Sequence, residues 1–176
     1  MEMLPFILVA TCCGLLGGLV IRLFNIMTAS DFKEPLVIPV KYFADIAPIE
    51  KFGNGDWIDL RAAEDVSLKA GQYTAIPLGV AMELPYGYEA FVLPRSSTFK
   101  QHGVIAANSM GLIDEIYCGE NDEWHMLVYA MRDTEIKKNE RICQFRVIEH
   151  QPEVLFQKVA FLGNDDRGGI GSSGRF

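Results

Sequence analysis

The sequence has few of the residues that build metal centres and disulfide frameworks. Its four cysteines form no Cys-x-x-Cys pair, and its three histidines share no ligand spacing. We therefore expect free thiols, a reducing compartment and no zinc site. After residue 26, no segment longer than one turn shows an amphipathic period of 3.6, which argues against a helical bundle.

Basic residues are scarce relative to acidic ones. The chain carries 16 lysines and arginines against 23 aspartates and glutamates, a formal net charge of −7. Surfaces that bind nucleic-acid phosphates are usually basic, so this balance argues against a nucleic-acid partner. A small anionic ligand stays open, because it needs only a few arginines and backbone N–H groups directed at it.

One long apolar run stands at the N-terminus. Residues 4–21 are apolar or small throughout, and about 18 such residues can just span a bilayer. A cleaved signal peptide fits poorly, because no positive segment precedes the run. Two interpretations of residues 1–26 stay open: they anchor the protein in a membrane, or translation starts at Met27 and the run is never made. Arg22 and Lys33 would keep an anchored chain in the cytoplasm, so a cytoplasmic location is expected in both cases.

From residue 36 onward, short apolar stretches alternate with turn residues. Strands are expected over residues 36–43, 57–62, 73–84, 88–93, 104–107, 112–113, 124–131, 141–149 and 154–161, with one helical turn over 96–102. Such closely spaced short strands predict one all-β domain, a barrel or jelly roll, over residues 27–161. Residues 162–176 are glycine-rich and polar, so they form either a disordered tail or a ligand-binding arm.

Prolines and glycines predict where these strands are interrupted. Pro39 cannot donate to a sheet ladder and therefore favours an edge position for the first strand. Pro77 or Gly79 is expected to bend the long stretch at residues 73–84.

Residues 111–120 hold the strongest candidate site. Leu112 and Ile113 run into Asp114, Tyr117 follows three places on, and glycines stand at both ends. The pattern suits a strand that reaches a sharp hairpin. An aspartate at the end of a buried strand is costly unless it is paired, hydrated or used. For such an aspartate taken alone, capping the turn is the commoner role.

Two segments with polar strand residues precede the hairpin. Asp59 stands between apolar strand residues, where simple surface alternation is the commoner cause. Arg95, Ser96 and Ser97 follow a strand with a cation, two hydroxyls and the free N–H groups of a possible helix start. That combination suits phosphate oxygens, and a helix N-cap is an equally good explanation of it.

Two further segments follow the hairpin. Gln144 is expected to point away from Cys143 on the same strand, as an exposed strand glutamine also would. Arg167 begins a glycine-rich stretch, residues 167–174, that can wrap a polyphosphate or serve as a flexible tail. Each of these signals is weak by itself.

Taken together, the five segments resemble the five motifs of the trimeric deoxyuridine triphosphate nucleotidohydrolases (dUTPases). The strings are Asp-Leu-Arg-Ala, Pro-Arg-Ser-Ser, Gly-Leu-Ile-Asp-x-x-Tyr-x-Gly, Arg-Ile-x-Gln and Arg-Gly-Gly-x-Gly-Ser-x-Gly. The resemblance covers residues 36–174, and the phrases around these strings look like the branch found in Gram-positive bacteria and their phages. It implies a distorted jelly-roll barrel of the β-clip type and a homotrimer with active sites at subunit junctions. The implied reaction splits dUTP into dUMP and pyrophosphate.

The resemblance also implies roles for the candidate residues. Asp114 would deprotonate the water that attacks the α-phosphorus, and Tyr117 would lie under the deoxyribose and exclude a 2′-hydroxyl. Mg²⁺ would be coordinated by the phosphate oxygens, and Asp59 would contact it through a bound water. Main-chain groups of the hairpin, at Gly111 and Ile113, and Asn108 would read the uracil. The phosphates would be held by Arg95, Ser96, Ser97, Gln144, Arg167, Gly171 and Ser172.

The last motif departs from the family pattern. Ile170 stands where many relatives carry a phenylalanine that stacks over the uracil, so Ile170 itself, Phe176 or Trp124 would have to cover the base. We interpret Trp124 as a barrel-core residue. Cys118 lies close to the hairpin and predicts sensitivity to thiol reagents.

Two other functions stay open on the same motifs. A dCTP deaminase, or a bifunctional deaminase and dUTPase, would need a glutamate base and a hairpin that accepts the cytosine amine. A nucleotide-binding regulator would bind a repressor protein, as phage members of the family can. The Asp-x-x-Tyr arrangement favours the uracil hydrolase.

Overall fold

The computed structural model describes residues 35–51, 53 and 55–168. The N-terminal segment of residues 1–26, Met27 and the last-motif positions Ile170, Gly171, Ser172 and Phe176 lie outside the described residues. Within the described part, eleven strands surround one short helix. The strands are β1 (Val40–Tyr42), β2 (Ile58–Arg61), β3 (Val66–Leu68), β4 (Tyr73–Pro77), β5 (Val80–Met82), β6 (Tyr88–Pro94), β7 (Val104–Ala106), β8 (Gly111–Ile113), β9 (His125–Ala130), β10 (Thr134–Ile136) and β11 (Arg141–Glu149); helix α1 is Thr98–His102.

The strands pair antiparallel into four small sheets. Their orders are β2-β11-β6-β8, β4-β9-β7, β1-β5 and β10-β3. This architecture confirms the prediction of an all-β domain. The first predicted strand is shortened to β1, which begins directly after Pro39 and pairs on one side only, with β5. An edge position is what a proline without an amide hydrogen favours.

One hydrophobic core joins the sheets. Every strand except β1 and β8 contributes a buried apolar side chain, and those two contribute the partly buried Val40 and Ile113. At its centre Trp124 meets Phe145 edge to face, with ring centroids 5.5 Å apart and planes at 89°. This arrangement is favourable for aromatic quadrupoles. Trp124 is wholly buried, so its interpretation as a core residue is confirmed.

The long stretch predicted at residues 73–84 is divided into two strands. Gly79 adopts a φ of +70° between β4 and β5, a conformation that only glycine reaches without strain. A side chain there would also lie 3.0 Å from Ile46 and 3.2 Å from Ala63. The predicted bend therefore becomes a change of sheet, because β4 pairs with β9 while β5 pairs with β1.

The predicted strand at residues 154–161 is absent from the structure. These residues belong to no strand or helix and are exposed, with Phe156 exposed by 95% and Phe161 by 89%. Their apolar composition is typical of a strand, yet they pair with no strand in the described part of the chain. Strands β3 and β10, which pair with each other, were not predicted from the sequence. At three residues each, they are too short to show a period of two.

Strand β6 is the element that positions the candidate residues. It lies between β11 and β8, and β11 pairs in turn with β2. The chain leaves β6 at Pro94 and enters α1, so the Arg-Ser-Ser string lies at one end of this strand. The Asp114 turn follows β8, whose last residue, Ile113, pairs with Ala90 near the other end.

Candidate active site

Asp114 begins a tight turn directly after β8. The Tyr117 amide donates to the Asp114 carbonyl at 3.0 Å, so residues 114–117 close as a four-residue turn. The predicted sharp turn is confirmed, but the predicted hairpin is wrong, because β8 pairs with β6 while the next strand, β9, belongs to another sheet. The name hairpin is kept below for residues 108–117 only as a label. The Asp114 side chain is exposed, and within the described part of the chain its carboxylate accepts no hydrogen bond. It is therefore not the turn cap that its position also allowed, and it is open to a water or a ligand.

Tyr117 lies at the other end of the same turn. Its hydroxyl donates to the Glu123 carbonyl at 3.2 Å, while the side chain keeps 39% of its surface exposed. The hydroxyl is thus tethered to the loop before β9, and the ring remains accessible next to Asp114. The turn brings the predicted base and the predicted sugar contact within three residues of each other.

A narrow cleft runs beside β8. Asn108 and Gly111 line it together with His125 and with residues of β6, β7 and β9, which are Val92, Leu93, Pro94, Ala106, Met126 and Leu127. A side chain on Gly111 would lie 3.1 Å from the Val92 Cβ, so glycine lets β8 approach β6 closely. Because β8 is the edge strand of its sheet, its outer main-chain groups can bind a ligand.

His125 is a cleft residue that the sequence analysis missed, because it considered histidines only as metal ligands. The available signal was its place between two apolar residues, Trp124 and Met126. Both are buried, and the alternation of side chains along the strand puts His125 on the opposite face. Its Nδ1 lies 2.8 Å from the Glu123 carbonyl. A carbonyl only accepts, so Nδ1 is the donor in this contact.

The register of three strands gathers the polar residues at the other end of the sheet. Gln144 of β11 pairs with Asp59 of β2 on one side and with Leu93 of β6 on the other. Arg95 donates from Nε to Asp59 Oδ1 at 2.7 Å, and Arg141 donates to Asp59 Oδ2 at 3.0 Å. The Gln144 amide nitrogen donates to the Pro94 carbonyl at 3.3 Å. Asp59, Arg95 and Gln144 therefore share one site, as predicted from separate strings.

The two serines after Arg95 lie where the chain turns into α1. Ser97 stands at the N-cap position, but its hydroxyl makes no capping hydrogen bond. Thr98 supports the turn instead: its Oγ1 accepts from the Arg95 amide at 3.0 Å and donates to the Ile142 carbonyl at 2.8 Å. The N-cap explanation of Ser97 is therefore wrong, and the Ser96 and Ser97 hydroxyls are available to a ligand.

The two cysteines in the described residues differ in environment. Cys143 is buried beneath the Asp59 and Arg95 pair, and burial raises its pKa far above the usual range, with the Asp59 charge adding to the effect. It stays a protonated, unreactive thiol at neutral pH. Cys118 follows Tyr117 and is exposed. Access alone already distinguishes the two thiols.

The candidate residues fall into two groups within one chain. The hairpin group is Asn108, Gly111, Ile113, Asp114 and Tyr117, and the anion group is Asp59, Arg95, Ser96, Ser97 and Gln144. Ile113 pairs with Ala90, five residues before Arg95. At about 3.3 Å per strand residue, Ile113 is about 17 Å from Arg95 along the strand direction. Asp114 follows Ile113 and is therefore separated from the anion group within one chain, whereas Asn108 and Gly111 line the cleft with Leu93 and Pro94, next to Arg95.

The last motif lies only partly within the described residues. Arg167 is exposed and lies in the irregular segment after β11, while its partners in the last motif, Ile170, Gly171 and Ser172, lie outside the described residues. Among the residues that the structure describes, no three His, Cys, Asp or Glu side chains lie together as a metal site. No helix in that same part of the chain is long and apolar enough to cross a membrane.

Known proteins match the part of the chain that holds the candidate residues. The dUTPase family model matches residues 57–174. The SPbeta prophage-derived deoxyuridine 5'-triphosphate nucleotidohydrolase YosS of Bacillus subtilis is 58% identical over 138 residues, 78% of this chain and 97% of that protein. The deoxyuridine 5'-triphosphate nucleotidohydrolase of Gloeobacter violaceus is 38% identical over 123 residues, 66% of this chain and 81% of that protein.

Solved structures share the fold. The dUTPase of Staphylococcus bacteriophage 80alpha, in a mutant form with dUpNHpp, superposes with a TM-score of 0.67 at 22% identity, over 78% of this chain and 98% of that one. A mutant dUTPase of phage phi11 of S. aureus, described with a structural Mg(II) ion, gives 0.64 at 16% identity, over 72% and 99%. The distorted jelly roll predicted from the sequence is confirmed by these likenesses.

Proposed function

This chain belongs to the dUTPase family and is a dUTP diphosphatase, and we propose that it works by joining the hairpin group of one subunit to the anion group of its neighbour. The turn that holds Asp114 and Tyr117 three residues apart is the observation that supports the catalytic assignment. The distance along β6 supports the assembly: Asp114 and Arg95 lie at opposite ends of the strand. Both must contact one triphosphate, so two subunits have to contribute.

In the proposed mechanism Asp114 is the general base. Its exposed carboxylate takes a proton from a water, which attacks the α-phosphorus in line with the bond to the departing pyrophosphate. Attack breaks the bond between the α-phosphorus and the bridging oxygen and leaves dUMP. Because no described side chain competes for the Asp114 oxygens, the water takes that place.

Base and sugar recognition belong to the rest of the hairpin group. The exposed edge of β8, at Gly111 and Ile113, presents fixed main-chain donors and acceptors to the uracil, and Asn108 adds a side-chain amide. Such fixed groups reject cytosine, because a mismatch leaves buried polar atoms unpaired. The tethered Tyr117 ring fills the space that a 2′-hydroxyl would need.

One of the residues that the sequence suggested as a cover over the base is ruled out, and one is added. Trp124 is fully buried and unable to reach a ligand. His125 lines the same cleft as Asn108 and Gly111, so its imidazole is available for contact with the uracil. Ile170 keeps its proposed role as an apolar cover from the C-terminal arm.

The anion group binds the phosphates. Arg95 is held by two contacts: Nε donates to Asp59, and Nη1 donates to the Arg141 carbonyl at 3.2 Å. A guanidinium held in this way loses little entropy when it binds a ligand. The Ser96 and Ser97 hydroxyls and the Gln144 amide complete the cradle. Arg167, Gly171 and Ser172 would close over it from the arm, residues 162–176.

Mg²⁺ is the proposed cofactor, carried by the triphosphate itself. Mg²⁺ prefers oxygen ligands and keeps several waters, so it needs one protein carboxylate and no dedicated cage. Asp59 fits this requirement, because each of its oxygens accepts one arginine hydrogen bond and retains a second lone pair. Bound there, the ion would neutralise phosphate charge.

A homotrimer is the proposed assembly, with residues 27–161 as its barrel. Closed cyclic symmetry gives every subunit one junction at which its hairpin group faces a neighbour's anion group. The exposed apolar stretch after β11 leads into residues 162–176, the proposed arm over a neighbouring site.

The protein's location and its other partners are separate proposals. We propose a cytoplasmic location, with residues 1–26 either an anchor or untranslated. N-terminal sequencing of the native protein distinguishes these two. Binding to a phage-type repressor stays a prediction, and co-purification with such a repressor tests it.

The alternatives are not favoured. A deaminase needs a glutamate base at the hairpin, but Glu115, the glutamate of this turn, accepts a hydrogen bond from the Gly87 amide and is directed away from solvent. Pyrophosphate release with dUTP, dCTP, dTTP and UTP in parallel tests the function. We expect release from dUTP alone, and formation of dUTP or dUMP from dCTP would contradict the assignment.

A further inference from the structure

Glu115 connects the Asp114 turn to the rest of the fold. It is the second residue of that turn, and its Oε2 accepts a hydrogen bond from the Gly87 amide. Its side chain keeps only 19% of its surface exposed, although its neighbours Asp114 and Ile116 are exposed. Adjacent acids thus face opposite ways: Asp114 faces solvent, and Glu115 faces the protein.

Gly87 receives this contact within a second tight turn. The Tyr88 amide donates to the Pro85 carbonyl at 3.1 Å, and Gly87 has a φ of +82°. Its carbonyl accepts from the His150 amide at 2.8 Å, at the end of β11. His150 Nε2 also lies 4.0 Å from Glu115 Oε2. Gly87 therefore links two parts of the chain: its amide contacts Glu115 of the Asp114 turn, and its carbonyl contacts His150, where the segment after β11 begins.

The position of Asp114 depends on this link. In the described part of the chain its carboxylate has no hydrogen bond of its own, so only the backbone of the turn directs it. Ile116, at the tip of the turn, is 82% exposed and supplies little packing. The pairing of β8 with β6 fixes the start of the turn. Beyond it, two side-chain contacts hold the turn in the described part of the chain: the Tyr117 hydroxyl to the Glu123 carbonyl, and Glu115 to the Gly87 amide. A hydrogen bond from an amide to a carboxylate is among the stronger ones available.

We propose that Glu115 is a positioning residue, which holds the Asp114 turn in place for catalysis through the Gly87 amide. The inference rests on the proposed role of Asp114 as the base. A general base displaced by about 1 Å loses much of its efficiency, up to about 100-fold. Tyr117 shares the turn, so the same displacement weakens its exclusion of the 2′-hydroxyl. Glu115 thus supports both the rate and the sugar specificity without contacting the substrate.

Variants of the full-length protein test the proposal. Glu115→Ala removes the acceptor, and Glu115→Met removes it while keeping the bulk of the side chain. Glu115→Gln retains an oxygen that can accept from the Gly87 amide. We expect kcat for dUTP to fall about tenfold in the first two variants and to recover to within about threefold of wild type in the third. The ratio of kcat/KM for dUTP to kcat/KM for UTP should fall in Glu115→Ala and Glu115→Met and recover in Glu115→Gln.

Binding and stability measurements separate positioning from unfolding. The Kd for dUpNHpp should change less than about threefold in all three variants, because the anion group is untouched. Glu83→Ala is the matched control. Its carboxylate is exposed and makes no hydrogen bond or ion pair in the described part of the chain, so its kcat should match wild type.

Three results would overturn the proposal. One is a kcat within twofold of wild type in both Glu115→Ala and Glu115→Met. Another is a Glu115→Gln variant as slow as Glu115→Ala. The third is loss of cooperative melting in both of the variants without an acceptor, which would make Glu115 a stability residue. If Asp114→Asn hydrolyses dUTP at the original rate, the proposed function fails instead, whatever Glu115 does.

Discussion

Arg95 donates a hydrogen bond from Nε to Oδ1 of Asp59 across 2.7 Å, and both side chains are largely shielded from solvent, at 22% and 17% exposure. Two residues from separate strings, one expected at the phosphates and the other at Mg²⁺, are therefore partners of each other before any ligand arrives. The pair orients the guanidinium and places a carboxylate beside it. Substitution of either member should disturb both functions.

Asp59→Asn tests this coupling. The amide keeps the shape of the side chain but removes the charge that holds Arg95 and attracts the hydrated ion. We expect kcat/KM for dUTP to fall at least about tenfold, and the Mg²⁺ concentration for half-maximal activity to rise. Asp56→Asn is the control, because Asp56 makes only exposed ion pairs to Lys51 and Arg146. Equal Mg²⁺ dependence in Asp59→Asn and wild type would contradict the proposed role.

Asp114→Asn tests the general base. Asparagine keeps the size of the side chain and cannot take a proton from water at neutral pH. Hydrolysis should fall by about a thousandfold or more, while dUpNHpp binds with near-normal Kd. Turnover at the original rate would refute the catalytic assignment, and loss of analogue binding would indicate a binding role.

Tyr117→Ala tests the sugar filter. Removal of the ring opens the space that a 2′-hydroxyl would occupy, so the kcat/KM for UTP should rise relative to that for dUTP. Tyr117→Phe keeps the ring and loses only the hydroxyl contact to the Glu123 carbonyl. It should therefore retain most of the discrimination. Unchanged discrimination in Tyr117→Ala would assign the filter to another residue.

Alkylation tests the position of Cys118. This thiol is exposed one residue after Tyr117, whereas Cys143 is buried and its pKa is raised by burial. A thiol reagent at neutral pH should modify Cys118, spare Cys143 and slow turnover, as mass spectrometry and activity together would report. Cys118→Ala should protect the activity. Full activity after verified modification of Cys118 would contradict this prediction.

The sequence shows which candidate residues lie together when they belong to one string. Asp114 and Tyr117 lie in one turn, and Arg95, Ser96 and Ser97 are consecutive, so their relation needs no knowledge of the fold. Links across strands are different. The Asp59 to Arg95 pair joins residues 36 apart, and the Glu115 to Gly87 contact joins residues 28 apart. Such contacts depend on strand register, which no local pattern specifies.

The fold was predictable to a similar extent. Alternating apolar residues identified β6, β9 and β11, which are the longest strands and the ones with the clearest pattern. The pairing of β3 with β10 could not be read locally, because each segment is short and depends on its distant partner. The error at residues 154–161 has the opposite cause: apolar composition predicts a strand, but a strand also needs a pairing partner, and these residues pair with no strand in the described part of the chain.

Subunit mixing tests the shared site most directly. Asp114→Asn removes the hairpin group's base, and Arg95→Ala removes the anion group's cation, so each variant alone should be nearly inactive. If a site joins groups from two subunits, a trimer containing both variants has one junction at which both groups are intact. Unfolding and refolding an equal mixture together should restore about a quarter of wild-type activity. Activity no higher than that of the separate variants, in trimers verified as mixed, would contradict a site built between subunits.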